Sequence, residues 1–234
     1  MNKILVITGG SSGIGFATAK LFQKNGFEII NLSRSTINLD NAVHLEVDLS
    51  NTNWQKSVKS KFNELLSKAD TICLIHNASK MQSDNVESLD ESNFREVLEV
   101  NLVGPTTLNK IVIPFMKKGS SILYVGSTLS EKAVPQMSSY VISKHAMIGL
   151  MRSTCQDLFG RFIHTACICP GATETEMLVE YVQGNQDALK AMASTLSENR
   201  LISSEEIAET LFFCAHNSVI NGSIVHANLG IQET

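Results

Sequence analysis

The chain lacks any apolar run near the roughly 20 residues needed to span a bilayer. Its N-terminal apolar stretch, beginning at Ile4, is too short for a secretory leader and precedes no cleavage site. No membrane partner is expected, and the chain reads as cytoplasmic. Its cysteines, Cys73, Cys155, Cys167, Cys169 and Cys214, form no Cys-x-x-Cys pair and no Cys/His cluster at zinc spacing. They read as reduced thiols acting as small buried hydrophobes, and no metal site is expected. Charge of one sign is lacking too: 19 Lys+Arg against 23 Asp+Glu leave a net −4, which supplies no general field for nucleic acid. No repeat, low-complexity linker or compositional break divides the 234 residues, so residues 1–234 are read as a single domain.

What is present is an alternation of short β-branched runs and helix-period stretches. Strands are expected at 3–7, 28–32, 43–47, 71–75, 121–125, 164–169 and 223–227. Several are apolar almost throughout, as befits a parallel sheet covered on both faces. Between them, Ile14, Ala17, Leu21 and Phe22 recur at helical spacing, with Gly26 placed to end the helix. Trp54, Val58, Phe62, Leu65 and Leu66 make a second stripe, preceded by the capping candidates Ser50, Asn51 and Thr52. The fold class is α/β: one doubly wound parallel sheet of Rossmann type with helices on both faces. Residues 174–199 break the rhythm and carry no strand, so they read as a lid over a site or as ordinary surface helices.

The first strand runs into Thr8-Gly9-Gly10-Ser11-Ser12-Gly13-Ile14-Gly15 and then a helix. Glycines allow a sharp turn and a close approach to a pyrophosphate, while the helix start supplies free N–H groups and a positive dipole end. The spacing is Gly-x3-Gly-x-Gly, and the strand–turn–helix context gives it weight. The second strand ends near Ser33-Arg34-Ser35. Arg34 lies 19 residues beyond Gly15, and no acidic residue follows it before Asp40. An acid at this place takes the ribose 2′-OH of NAD, whereas Arg accommodates a 2′-phosphate. NADP(H) is therefore expected in preference to NAD(H).

Tyr140 and Lys144 are four residues apart in Tyr140-Val141-Ile142-Ser143-Lys144 and share a helix face. A phenol is a poor acid or base near neutrality, and a neighbouring ammonium favours its ionised form. Ser127, 13 residues upstream, follows the apolar run 122–125 and should sit at a strand's carboxyl end, where open α/β sheets bind ligands.

Together these features resemble the short-chain dehydrogenase/reductases over almost the whole chain. Thr8 to Gly15 is similar to that family's glycine motif, and Asp48-Leu49 to its adenine-pocket pair. His76-Asn77-Ala78-Ser79 resembles the Asn-Ala-Gly segment, with Ser79 in place of Gly. Asn101, Ser127, Tyr140 and Lys144 match the catalytic tetrad in order and spacing. Pro170-Gly171-Ala172-Thr173-Glu174-Thr175 resembles the Pro-Gly-x-x-x-Thr element that holds the nicotinamide carboxamide and adjacent phosphates. Glu205-Glu206-Ile207-Ala208 and Asn221-Gly222-Ser223-Ile224-Val225 resemble the late pattern. Ser12 stands where NADP-preferring relatives often carry Lys or Arg, and Asn228-Leu229-Gly230 stands in for a closing Gly-Gly.

The resemblance implies an oxidoreductase moving a hydride between NADP(H) and a small-molecule carbonyl or alcohol. In that scheme Tyr140 is the acid/base, Ser127 binds the substrate oxygen, and Lys144 supports Tyr140 and the nicotinamide ribose. Asn101 would position Lys144 through a water. A cofactor-sensing or structural protein without turnover is the alternative on the same fold. The family also implies a homodimer or homotetramer, and Met147, Leu150, Met151 and Thr154 are read as an apolar outer face compatible with one. The substrate stays open among a 3-oxoacyl thioester, a pterin, a steroid and a small ketone. Met177, Leu178, Val179, Tyr181, Val182 and Met192 form either an apolar cover or a stripe seating a short helix, and Val134, Gln136 and Met137 are further candidates for the pocket. Arg152 and Arg161 are candidates for the cations an acidic carrier protein would want at the entrance, with ordinary surface charge as their default reading.

Overall fold

Residues 1–232 are described by a computed structural model. In chain order it contains β1 (Lys3–Thr8), α1 (Gly13–Lys24), β2 (Phe27–Ser33), β3 (Val43–Glu46), α2 (Trp54–Leu66), β4 (Thr71–His76) and α3 (Glu91–Leu98). There follow α4 (Gly104–Val112), β5 (Ser121–Val125), α5 (Ser138–Asp157), β6 (His164–Pro170), α6 (Glu176–Tyr181), α7 (Gln186–Ser194), α8 (Ser204–His216) and β7 (Ser223–Ala227). All strand pairs are parallel, in the order β3-β2-β1-β4-β5-β6-β7. The order reverses beside β1, which puts a crevice at the carboxyl ends of β1 and β4.

The strands read as continuous apolar runs because their alternate residues feed two separate cores. Ile4 and Val6 point into the core that contains Trp54, Phe62, Leu108 and Met147, from α2, α4 and α5. Leu5 and Ile7 point into the core that contains Phe22, Ile207 and Leu211, from α1 and α8. The expected helix stripe on α2 is therefore the face that packs on the sheet. Its cap is not as expected: Asn53 is the N-cap and makes no side-chain cap bond. Asn51 Oδ1 instead accepts from Asn53 N–H at 2.9 Å, within the turn before the helix.

Four strands run past their expected carboxyl ends, to Thr8, Ser33, His76 and Pro170. The first three are buried polar residues, and each continues the strand because its side chain finds a partner there. Thr8 Oγ1 accepts from Asn77 N–H and Ala78 N–H, both at 3.0 Å. Ser33 Oγ accepts from Asn31 Nδ2 and donates to Ser35 O, both at 2.7 Å. β3 stops one residue short of expectation, at Glu46.

His76 belongs to a buried chain of polar groups that sequence reading missed. Asn109 Nδ2 donates to Tyr124 Oη at 2.7 Å, so Asn109 Oδ1 faces His76 Nε2 at 2.8 Å and must accept. Tyr124 Oη lies 3.0 Å from Thr154 Oγ1, which donates to Leu150 O at 2.8 Å. His76 thus carries its proton on Nε2, and Nδ1 is left as a buried lone pair with no partner among the described residues. Burial, opposed by the Asn109 bond, pushes the imidazole down to about 4. The unfolded chain takes up a proton near pH 6.5 that the folded chain refuses until about pH 4. Stability is therefore full above pH 6.5 and is lost as pH falls toward 4, by roughly 3 kcal/mol for a shift of this size. Urea unfolding at pH 7, 5.5 and 4.5 is expected to show this decline, and His76→Asn is expected to flatten it. His164, also pushed down chiefly by burial, leaves a smaller slope of the same sign in both proteins.

Candidate active site

The glycine turn is built by contacts that only glycine permits. Gly9 and Gly13 have φ of +67° and +49°. A Cβ on Gly15 would lie 2.1 Å from Gly9 O and 2.5 Å from Asn77 Nδ2. Asn77 Nδ2 donates to both Thr8 O and Gly9 O, at 3.1 and 3.0 Å, so the end of β4 holds the turn after β1. Gly10 N–H donates to Asn31 Oδ1 at 2.8 Å, and a Cβ on Gly10 would strike that oxygen. Asn31 escaped sequence reading; the signal was a single amide in the apolar run of β2.

Where the turn meets α1, Ser12 is the N-cap and makes no side-chain cap bond, and the first turn carries no acidic residue. The N–H groups of this helix start thus face the crevice without a side-chain acceptor, as a pyrophosphate requires. On the other side, Thr175 Cγ2 would be 3.2 Å from a Cβ on Gly13. Thr175 Oγ1 caps α6 by accepting from Leu178 N–H at 3.3 Å. Thr173 is buried and donates to Gly171 O at 3.0 Å, while Gly171 N–H donates to Ala227 O at 3.1 Å. Pro170, Gly171 and Thr173 therefore shape a loop that brings Thr175 to the glycine turn. The donor set and the space a side chain would fill fit a nicotinamide dinucleotide. Gly13 and Thr175 line the open cleft beside the turn, and Thr8, Gly9, Gly15, Asn77 and Ala78 are drawn together at the carboxyl ends of β1 and β4.

Beyond β2, Arg34 is exposed and makes no hydrogen bond or ion pair among the described residues. Asp48 is also exposed; desolvation acts upward on its carboxyl, but the Ser50 hydroxyl and N–H and the charges of Arg34 and Lys80 hold it below its ordinary value. Leu49 is buried in the sheet core and packs near Gly104.

The other half of the site lies on α5 and the residues facing it. Lys144 is only 2% exposed, and its Nζ donates to Val125 O at 2.8 Å. The same ammonium lies 5.4 Å from the centre of the Tyr140 ring, itself 8% exposed. Ser127 begins the turn after β5: its Oγ accepts from Leu129 N–H at 3.1 Å, leaving its O–H free to donate. Ser130 Oγ accepts from Ser127 N–H at 3.1 Å and closes that turn.

Asn101 lies within a π-helical turn, Glu99–Val103, between α3 and α4. Its carbonyl would pair with residue 105 in an α-helix, but Pro105 has no N–H. The ladder widens instead, and Gly104 N–H donates to Glu99 O. The Asn101 side chain accepts from Lys80 N–H at 2.7 Å and Ser79 Oγ at 3.2 Å, and donates to Lys80 O and Ser143 Oγ, each at 2.9 Å. It therefore reaches α5 through Ser143, the residue before Lys144, and has no direct bond to Lys144.

Three expectations need correction. Met147, Met151 and Thr154 are buried within this chain, because they lie on the sheet-facing side of α5; its outer side carries Ile142, His145, Gly149 and Arg152. Arg161 lies beyond the last residue of α5, which is about 25 Å along the helix from Tyr140, and donates to Ile113 O, so it is remote from Tyr140. Arg152, about 18 Å along the same axis, is also remote. Of the two readings of the apolar residues 177–192, a stripe that seats α6 or α7 firmly is not found, since neither helix has a fully buried residue and Met177 and Val179 are exposed. Between α6 and the glycine turn is an open cleft of about 440 Å³ lined by Gly13, Glu174, Thr175, Glu176, Val179 and Glu180. Its carboxylates offer no cationic collar to an acidic carrier protein. A second hollow of about 520 Å³, around Phe212 and Phe213, lies between the far ends of α1 and α8. Among the cysteines, Cys155 is half-buried rather than buried. Burial, the largest influence on each, pushes the Cys73 thiol up to about 12 and Cys214 to about 11, so both are protonated at neutral pH. No group of metal-binding side chains occurs among the described residues.

A parallel sheet with a glycine turn before its first helix, and a Tyr/Lys pair at the same edge, defines a nicotinamide-dependent oxidoreductase. Comparison with known proteins agrees. Residues 9–232 match the family model described as enoyl-(acyl carrier protein) reductase. An uncharacterised oxidoreductase of Thermotoga maritima is 30% identical, with 97% of this chain and 96% of that protein aligned. The 3-oxoacyl-[acyl-carrier-protein] reductase FabG of the same organism is 27% identical over 98% of this chain and 97% of its own length. Among solved structures, a 4-hydroxyisoleucine dehydrogenase complexed with NADH superposes with a TM-score of 0.87, at 26% identity over 99% of this chain and 100% of that one. The chain belongs to the short-chain dehydrogenase/reductase family. It is an oxidoreductase acting on an alcohol or carbonyl group, and none of the helices among the described residues is long and apolar enough to cross a membrane.

Gly15→Ala tests the turn. With a Cβ placed 2.1 Å from a carbonyl oxygen, stability is expected to fall by at least about 2 kcal/mol. NADPH binding, followed by fluorescence, is expected to be lost with it; unchanged stability and binding would contradict the geometry.

Proposed function

We propose that the protein reduces carbonyls and oxidises alcohols with NADP(H) in preference to NAD(H), using Tyr140 as the acid/base. The observation that carries this reading is the buried Lys144 ammonium, 5.4 Å from the centre of the Tyr140 ring at the carboxyl edge of the sheet. A nicotinamide bound here would supply the hydride chemistry at the carbonyl carbon. Tyr140 passes its hydroxyl proton to the substrate oxygen, and the Lys144 charge stabilises the oxyanion left on the phenol. Ser127 donates its O–H to the same oxygen and stabilises the negative charge that develops there. The glycine turn and Thr175 would hold the pyrophosphate, and Arg34 would meet the 2′-phosphate. Asn101 holds the helix that bears Tyr140 and Lys144. The residues form one functional domain, and assembly into homodimers or homotetramers rests on family likeness.

Tyr140→Phe removes the proton but keeps the ring. Turnover is expected to fall at least 1,000-fold with NADPH affinity within about threefold of the parent. Undiminished turnover would refute the assignment. Arg34→Ala separates the two cofactors: kcat/KM for NADPH is expected to fall about 10- to 100-fold, the loss of one charge-assisted hydrogen bond, with NADH little affected. An equal effect on both cofactors, or a parent enzyme that works better with NADH, would remove the 2′-phosphate from the reading.

A further inference from the structure

Between β4 and α3 the chain crosses the face of the site in an irregular stretch, and Asp84 lies within it, 8% exposed. A buried carboxylate is costly unless its lone pairs are occupied. Those of Asp84 are spent on the start of α5. Ser139 N–H donates to Asp84 Oδ1 at 2.9 Å, and Ser139 Oγ donates to Asp84 Oδ2. The backbone adds two more bonds, Asp84 N–H to Gln136 O at 3.1 Å and Ser138 N–H to Asp84 O at 3.2 Å. The N-cap position of α5 itself is Met137, which makes no side-chain cap bond. The carboxylate that caps this 20-residue helix therefore comes from a loop more than 50 residues earlier in the chain, and it sits at the positive end of the helix dipole.

The placement matters because Tyr140 comes directly after Ser139. Three residues further on, Ser143 accepts from Asn101 Nδ2 and donates to Tyr140 O at 2.8 Å. Asn101 is in turn held by Lys80, from the same irregular stretch as Asp84. Residues 79–84 thus grip α5 at two points on either side of Tyr140, Asp84 before it and the Asn101–Ser143 link after it. None of the contacts of Asp84 reaches the glycine turn or Arg34.

We infer that Asp84 is a positioning residue: by capping α5 from outside the helix it fixes the rotation and axial position of the first helical turn, and so the direction in which Tyr140 presents its hydroxyl. The inference rests on the reading of Tyr140 as acid/base and adds a residue that sequence pattern did not reveal. Because Asp84 acts through Ser139, its effect belongs to kcat and leaves cofactor affinity alone.

The test compares Asp84→Ala, Asp84→Asn and Ser139→Ala in the intact enzyme, with turnover expressed per NADPH-binding site measured by fluorescence titration. Asp84→Ala is expected to lower kcat 10- to 100-fold with the NADPH dissociation constant within twofold. Asp84→Asn keeps an amide oxygen for Ser139 N–H and is expected to recover kcat to within fivefold of the parent. Ser139→Ala, which loses one bond and keeps the other, is expected to lower kcat three- to tenfold. A purely structural role would reduce the number of NADPH-binding sites and leave kcat per site unchanged. Unchanged kcat per site in Asp84→Ala, or no recovery in Asp84→Asn, would overturn the inference. If Asp84→Ala yields no folded protein, Ser139→Ala decides, and a parental kcat in that variant overturns it. Tyr140→Phe run alongside keeps the two readings apart. Retained turnover there refutes the acid/base assignment itself, whereas an inactive Tyr140→Phe with a fully active Asp84→Ala refutes the positioning role alone.

Discussion

The amide of Asn77 ties together the carboxyl ends of β1 and β4. Two strands that end at a switch point leave backbone groups that neither neighbour can satisfy, and a crevice opens where they part. Asn77 fills both needs: its side chain donates to Thr8 O and Gly9 O, and its N–H goes to Thr8 Oγ1. This sets the first glycine of the turn, and the turn sets the start of α1. The chain leaving Asn77 then supplies Ser79 and Lys80 to Asn101, and Asn101 supplies a bond to Ser143 on α5. A path of side-chain hydrogen bonds and short chain segments therefore joins the glycine turn to the helix that carries Tyr140.

The sheet beneath explains why such a path is possible. Alternate strand residues enter two cores, so the strands are clamped on both faces and their ends are fixed in space. Several buried polar residues gather where strands stop. Thr8, Ser33 and His76 extend their strands by one residue each: Thr8 Oγ1 meets the chain after β4, Ser33 Oγ meets Asn31 and Ser35 of its own segment, and His76 is paired at Nε2 by Asn109. The helix starts of α1 and α5 point at the same edge with contrasting treatments. α1 presents its first turn without a side-chain cap or an acidic residue, which suits an anionic ligand. The first turn of α5 is occupied by the Asp84 carboxylate and directs its residues instead of a ligand.

Much of this was legible in the sequence. Periodicity placed all seven strands, most of them because buried parallel strands leave little ambiguity in apolar runs of that length; β3 and β7, at the sheet edges, are more exposed and rested on their β-branched residues and their place in the alternation. The order of Gly9, Gly13, Gly15, Asn101, Ser127, Tyr140 and Lys144 pointed to one edge of the sheet. What escaped had no local pattern. Asp84 and Ser139 meet across more than 50 residues, and neither belongs to a periodic stripe. Asn31 is a lone amide in the apolar run of β2, and only the fold brings Gly10 N–H to its oxygen. The face of α5 was misread for a related reason: Met147 and Met151 are as apolar as an interface residue, and only packing on the sheet shows which way they point. Arg161 was misplaced because helix length, not sequence distance, decides how far a residue lies from the site.

The central claim is that the glycine turn and the Tyr140 helix form one site for hydride transfer. Its most direct measurement uses NADPH carrying deuterium at the transferable position of the nicotinamide, incubated with the enzyme and a panel of aldehydes and ketones. The account predicts NADPH oxidation with deuterium appearing on the carbinol carbon of the alcohol formed, and a slower rate than with unlabelled NADPH. Tight NADPH binding with no deuterium delivered to any carbonyl on the panel would contradict it and would favour a cofactor-sensing role for the same fold.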